Sequence, residues 1–104
     1  MARLSKLSRS IAGKVAIVTG AASGMGRATA RVFAAEGANV AVTDYSADGA
    51  RAVADEIAAS GGDAKAWTLD VASRDDINTV VGAVAAHFGG IDIVVNNAGI
   101  SVRV

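Results

Sequence analysis

Between Val15 and Arg27 the chain reads VAIVTGAASGMGR: an apolar run stops at Thr19, glycines stand at Gly20, Gly24 and Gly26, and a helical pattern begins. A glycine turn at a helix N-terminus holds anions, because backbone N–H groups converge with no Cβ in the way and the helix dipole favours negative charge. A P-loop would need Gly-Lys-Ser/Thr at the end of the turn, but the residues at that offset are Met25-Gly26-Arg27, so no lysine reaches a phosphate. The fingerprint GxGxxG also fails. Gly24 and Gly26 would need a glycine in place of Thr29, and Gly20 is followed two residues later by Ala22. The spacing present is Thr19-Gly20-x-x-x-Gly24-x-Gly26. In it the first glycine permits the tight turn, the second lets backbone approach a pyrophosphate, and the third lets helix and strand pack closely.

Three further groups of polar residues follow apolar runs. Asp44 ends the run NVAVT, where a carboxylate can accept from both hydroxyls of a ribose and would repel a 2′-phosphate. Its plain structural alternative is a strand-ending Asp that caps its own turn. Asp70-Val71 and Asn96-Asn97-Ala98-Gly99 end the next two runs. Tyr45 is followed four residues later by Gly49, so it has no lysine partner at helical spacing. His87 is the single histidine and falls near a helix C-terminus, where its partial charge suits the dipole. No grouping of residues points to a metal, and Trp67 and Phe33 read as packing.

The elements that must position these residues alternate. Strands are expected at Lys14 to Thr19, Asn39 to Thr43, Ala64 to Leu69 and Ile91 to Val95, as short apolar runs suited to burial on both faces. Helices are expected between them. The first spans Met25 to Glu36 with Met25, Ala28, Val32, Phe33 and Ala35 inward, closed by Gly37. The second is capped by Ser46 and runs to about Ser60 with Ala50, Val53, Ile57 and Ala58 inward. The third opens on Ser73-Arg74-Asp75-Asp76, a capping-box variant, and runs through Val80, Val81, Val84 and Phe88. The fold class is therefore α/β: a Rossmann-type parallel sheet with flanking helices, ending after the fourth strand. In such a sheet ligands sit beyond the carboxyl ends of the strands, where Thr19-Gly20, Asp44, Asp70 and Asn96-Asn97 all fall.

Composition narrows the function classes. The 104 residues, 52% hydrophobic and 19% charged, suit one small domain, read as a tail over 1–12 and a body over 13–104. Ten basic and ten acidic residues cancel, which argues against nucleic acid or a membrane surface as partner. No apolar run is long enough to span a bilayer. The absence of cysteine fits a reducing compartment, and a cytoplasmic location is expected. MARLSKLSRS is basic and acid-free, with a faint likeness to a transit peptide; the expectation is a solvated tail.

The TGxxxGxG turn, Asp44, Asp70-Val71 and the NNAG run, in this order at strand ends, resemble the short-chain dehydrogenase/reductase family over Lys14 to Ile100. The resemblance implies an oxidoreductase transferring hydride between NAD(P) and an alcohol or carbonyl substrate. It implies cofactor contacts at Gly20, Ser23, Gly24, Met25, Gly26, Asp44, Tyr45, Asp70, Val71, Asn97, Ala98 and Gly99. Asp70 and the Val71 N–H would face the adenine, and the first Asn of NNAG would tie neighbouring strands. NADP-preferring members place a basic residue before the second glycine or after the second strand. Those positions hold Ser23 and Tyr45, so NAD is expected over NADP. The family's catalytic Ser, Tyr, Lys and helix Asn have no counterparts, Ser101 coming too early and Tyr45 lying at the wrong strand. The chain thus resembles the family's amino-terminal portion, inactive alone, with homo-oligomers expected only of the longer form. A non-catalytic NAD-binding or interaction module and an S-adenosylmethionine-binding domain are the alternatives.

Overall fold

The computed structural model describes residues 11–97. Four strands, β1 (Val15–Val18), β2 (Asn39–Asp44), β3 (Asp63–Thr68) and β4 (Ile93–Val95), alternate with three helices, α1 (Gly24–Ala35), α2 (Ala47–Ala59) and α3 (Arg74–Phe88). The strands form one parallel sheet in the order β3-β2-β1-β4. The chain steps outward from β1 to β3 and then returns to β1's other side with β4. That reversal puts the switch point between β1 and β4, the position at which open α/β sheets bind ligands.

All of β1 is buried, as its unbroken apolar run requires. Its alternate residues feed two cores. On one face Val18, Val40 and Val42 pack with Ala30, Ala34, Ala50, Val53, Ala54 and Ile57 of α1 and α2. On the other, Val15, Ile17 and Ala41 meet Val80 and Val84 of α3. Ile11, at the edge of the expected tail, packs partly buried against the first core.

The inward face of α1 differs from the expectation. Its buried residues are Gly26, Ala30 and Ala34, while Met25 is 75% and Val32 54% exposed and Ala28 and Ala35 also face out. The bulky apolar side chains define a helical stripe, but the helix runs too close to the sheet to admit them. In α2, Ala54 takes the buried place expected of Ala58, giving the i, i+3, i+4, i+7 pattern from Ala50 to Ile57. In α3, Val81 remains 40% exposed.

Ends are set by local chemistry. Gly37, Gly61 and Gly89 follow the three helices with φ of +97°, +92° and +90°, the left-handed region. Ser46 and Ser73 cap α2 and α3 by accepting the N–H of Gly49 and Asp76, both at 3.1 Å. The second half of the α3 box departs from its model, since Asp76 accepts the N–H of Asp70 at 2.7 Å. β4 begins two residues later than expected because Asp92 acts as its entry clamp: its N–H donates to Val15 O and its carboxylate accepts Val15 N–H, both at 2.9 Å.

Thr43 carries a test of this packing. Fully buried in β2, it donates its hydroxyl to Val18 O at 2.8 Å, tying the two central strands. Thr43→Val keeps the shape and deletes the donor, so urea denaturation should show a loss of about 1 kcal/mol with an unchanged m-value; equal or greater stability would contradict that role.

Candidate functional site

The glycine turn joins β1 to α1, and its glycines have different duties. Gly20 and Gly24 have φ of +62° and +60°, a conformation that strains any residue with a side chain. A Cβ on Gly24 would meet nothing within 4 Å, so that face of the turn is open. Gly26 is the reverse: buried, with a Cβ there colliding with the Gly20 carbonyl oxygen and standing 2.8 Å from Asn97 Nδ2. The turn therefore folds back so that α1 starts against β1 with no room for a methyl group.

The N-terminus of α1 is also dressed differently from those of α2 and α3. Ser23 occupies the N-cap without a capping hydrogen bond from its side chain, and no acid lies in the first turn. In α2 and α3 a serine oxygen takes a backbone N–H, and acids follow at Asp48, Asp75 and Asp76. The first-turn donors of α1 are thus left for something else, and the dipole there is unneutralised.

Neighbouring strand ends close round this turn. Thr19 Oγ1 donates to Asn96 Oδ1 at 3.2 Å, and Asn97 Nδ2 donates to Gly20 O at 3.4 Å, linking β4's end to the glycines. The Asp44 carboxylate accepts from Ala22 N–H and Ser46 N–H, each at 2.9 Å. It fills the turn-capping duty and still stands at the mouth of the same groove. That groove, of about 670 Å³, is lined by Thr19, Gly20, Ser23, Gly24, Met25, Thr43, Asp44, Tyr45, Leu69, Val71 and Asn97.

Of the residues singled out from sequence, eight line this groove: Gly20, Ser23, Gly24, Met25, Asp44, Tyr45, Val71 and Asn97. Gly26 lies beneath it. Asp70 is absent from the groove lining, which Val71 joins; one Asp70 carboxylate oxygen accepts the N–H of Ala72 at 2.9 Å. Ala98, Gly99 and Ser101 lie outside the described residues. Thr19, which opens the turn motif at the end of β1, also lines the groove; Thr43 and Leu69 are additions to the sequence reading, and their place at the strands' carboxyl ends is the signal that points to them. His87 lies away from the groove, edge-on to Trp67 and Phe88 at centroid distances of 5.8 and 4.5 Å. No cluster of three metal-ligating side chains occurs among the described residues, and none of their helices is long and apolar enough to cross a membrane.

One ion pair ties α1 to α2. Arg27, beside Gly26, holds Glu56 of α2 through Nε–Oε1 and Nη2–Oε2 contacts of 3.0 and 2.7 Å. The hydrogen bond from Arg27 is the main cause that pulls the Glu56 carboxyl below its ordinary 4.5; desolvation opposes it, and the charges of Arg27 and Arg31 reinforce it.

Compared with known proteins, residues 14–104 match the family model described as short chain dehydrogenase. The chain is 46% identical over 89 residues to D-threitol dehydrogenase of Mycolicibacterium smegmatis, covering 86% of this chain and 34% of that protein. It is 46% identical over 90 residues to 2,5-dichloro-2,5-cyclohexadiene-1,4-diol dehydrogenase of Sphingobium indicum, covering 86% and 35%. The crystal structure of a metagenomic short-chain oxidoreductase in complex with NADP superposes with a TM-score of 0.80 at 41% identity, over 85% of this chain and 40% of that one. The chain spans about a third of the length of these two curated relatives.

Two outcomes follow from the geometry. Gly26→Ala should lower the thermal midpoint markedly, because helix and turn must separate to admit the methyl; an unchanged Tm would show that the close approach is dispensable. Because the folded-state value of Glu56 is lowered, its pairing stabilises the fold above the ordinary Glu range and the benefit disappears as pH falls through the folded-state value. Glu56→Gln should therefore depress Tm slightly at pH 7, with the difference shrinking as pH is lowered through the acid range. A depression that does not change with pH would contradict the pairing.

Proposed function

The chain belongs to the short-chain dehydrogenase family, and we propose that it forms the NAD-holding part of an oxidoreductase acting on an alcohol or carbonyl substrate. The observation that carries this reading is the joining of Asp44 and the uncapped N-terminus of α1 in one groove. A dinucleotide has two anionic phosphates next to a ribose diol, and this groove offers backbone donors for the first and a carboxylate for the second.

Bound NAD would supply or accept the hydride, and the chain's own residues would bind and orient the cofactor. The open N–H groups at Ser23 to Gly26 would hold the pyrophosphate, with Gly24 admitting its close approach. Asp44 would accept from the adenosine ribose hydroxyls. Leu69 and Val71 would flank the adenine, with the Val71 N–H as a donor to the ring. Tyr45 would border the ribose and Asn97 the nicotinamide side, to which the family resemblance also assigns Ala98 and Gly99. Asp70 supports this arrangement through its turn, since its carboxylate orders Ala72 and its N–H is held by Asp76.

Asp44 also supports NAD over NADP. A 2′-phosphate would meet a carboxylate, and neither Ser23 nor Tyr45 brings the positive charge that would compensate it. A relative solved with NADP shows that the fold accepts that cofactor, so the discrimination proposed here rests on these three side chains. Support for an alcohol or carbonyl substrate comes from the names of relatives, a D-threitol and a substituted diol dehydrogenase. Their equal identity to this chain argues that substrate choice is made by residues elsewhere in those proteins. Proton transfer in this reaction needs an acid–base group near the substrate oxygen. The family's Tyr and Lys have no counterparts in these 104 residues, so the chain alone should not turn over.

Trp67 is the single tryptophan and provides the readout. Titration should show NADH binding by energy transfer from Trp67, with NADPH binding more weakly; equal affinities would contradict the role given to Asp44. Asp44→Ala should weaken NADH about tenfold and narrow the preference. Calorimetry with S-adenosylmethionine should show no tight binding, and tight binding of the methyl donor alone would sink the NAD reading. Appreciable oxidation of secondary alcohols by the 104-residue chain would contradict its proposed inactivity.

A further inference from the structure

Asp44 does more than face the groove. On its protein side Oδ2 accepts from Ala22 N–H and Oδ1 from Ser46 N–H, both at 2.9 Å. Ala22 belongs to the glycine turn, two residues past Gly20. Its neighbour Ala21, fully buried, donates its N–H to Thr43 O at 3.0 Å. Two successive N–H groups therefore dock the turn on the end of β2, one through backbone and one through the Asp44 charge. Space is tight on the same side, for a Cβ on Gly49 would lie 2.7 Å from the Ala22 methyl. The turn is held against the end of β4 at Gly20, through Asn97, and against β2 at Ala21 and Ala22, and its open stretch, Ser23 to Met25, follows directly on these anchors.

We infer that Asp44 is a positioning residue for the anion-holding turn, so that grip on the pyrophosphate depends on a side chain at the adenosine end. This rests on the NAD reading above. Each carboxylate oxygen offers two lone-pair directions, and each here spends one on a backbone N–H. The remaining directions serve ribose hydroxyls, so a carboxylate performs both tasks at once. An amide does not. Asn at this position keeps one acceptor oxygen and turns its NH2 toward the other backbone N–H, donor against donor, so one anchor is lost. A consequence for selectivity is that replacing Asp44 to admit a 2′-phosphate also loosens the turn. The exchange lowers affinity for both cofactors and does not simply swap them.

The test uses the 104-residue chain, its Asp44→Ala variant, which removes both acceptor oxygens, and two probes: NAD and its analogue lacking both hydroxyls on the adenosine ribose. In the unmutated chain the Ala22 amide should exchange slowly with solvent despite its place in a surface turn. In Asp44→Ala that exchange should quicken about tenfold while Val42, inside β2, keeps its protection. The dideoxy analogue has no hydroxyl for Asp44 to hold, so a purely ribose-directed Asp44 predicts equal affinity in both proteins. Positioning predicts a loss of about tenfold for the analogue as well as for NAD. Unprotected exchange at Ala22 in the unmutated chain would overturn the inference without any variant, as would unchanged exchange and unchanged analogue affinity in Asp44→Ala. Absence of NAD binding to the unmutated chain would overturn the dinucleotide reading and with it the affinity coupling, while the exchange rates would still decide the anchoring of the turn.

Discussion

The contact on which the rest depends is the approach of Gly26 to the carbonyl of Gly20. Because no side chain intervenes, α1 begins directly above the end of β1, and the helix must then follow the sheet at short range. Ala30 and Ala34 continue this contact at intervals of four, which is why the buried stripe of α1 contains only small residues. Larger apolar groups such as Met25 and Val32 are displaced outward. Met25 is thereby delivered to the groove wall, so a packing constraint also supplies part of the site.

Tight packing at Gly26 leaves the donors around Ser23 and Gly24 facing outward, and the strand ends supply the enclosure. Thr19, Thr43 and Leu69 end consecutive strands of the sheet, and Asp44, Tyr45, Val71 and Asn97 follow from the same edge. Parallel strands bring all these carboxyl ends together, although the residues are scattered over almost eighty positions. A second groove, lined by Arg31, Val32, Ile57 and Gly62 along α1 and the end of α2, lacks this convergence of strand ends.

Much of this order is legible in the sequence. Glycine spacing identified the turn, apolar runs located all four strands, and the residues after them pointed to one edge of the sheet. The boundaries and inward faces were less legible for specific reasons. Periodicity in α1 followed side-chain size, but the helix's closeness to the sheet selected glycine and alanine for burial. The start of β4 was obscured because Asp92 pairs by side chain as well as backbone with Val15. Asp70 stands outside the groove lining with one carboxylate oxygen on Ala72 N–H, whereas Asp44 holds two backbone N–H groups and still lines the groove. Where a turn aims its acid depends on the turn's geometry, which spacing alone does not encode. The turn-cap and groove readings of Asp44 are therefore compatible.

Family membership and the groove together make NAD binding at the switch point the central claim. The most direct measurement is chemical-shift mapping of the isotopically labelled chain during titration with NAD. Shifts should concentrate at Gly20, Ser23, Gly24, Tyr45, Val71 and Asn97, with Arg31, Ile57 and Gly62 unmoved. Shifts centred on that second group, or no saturable shifts at all, would contradict the account.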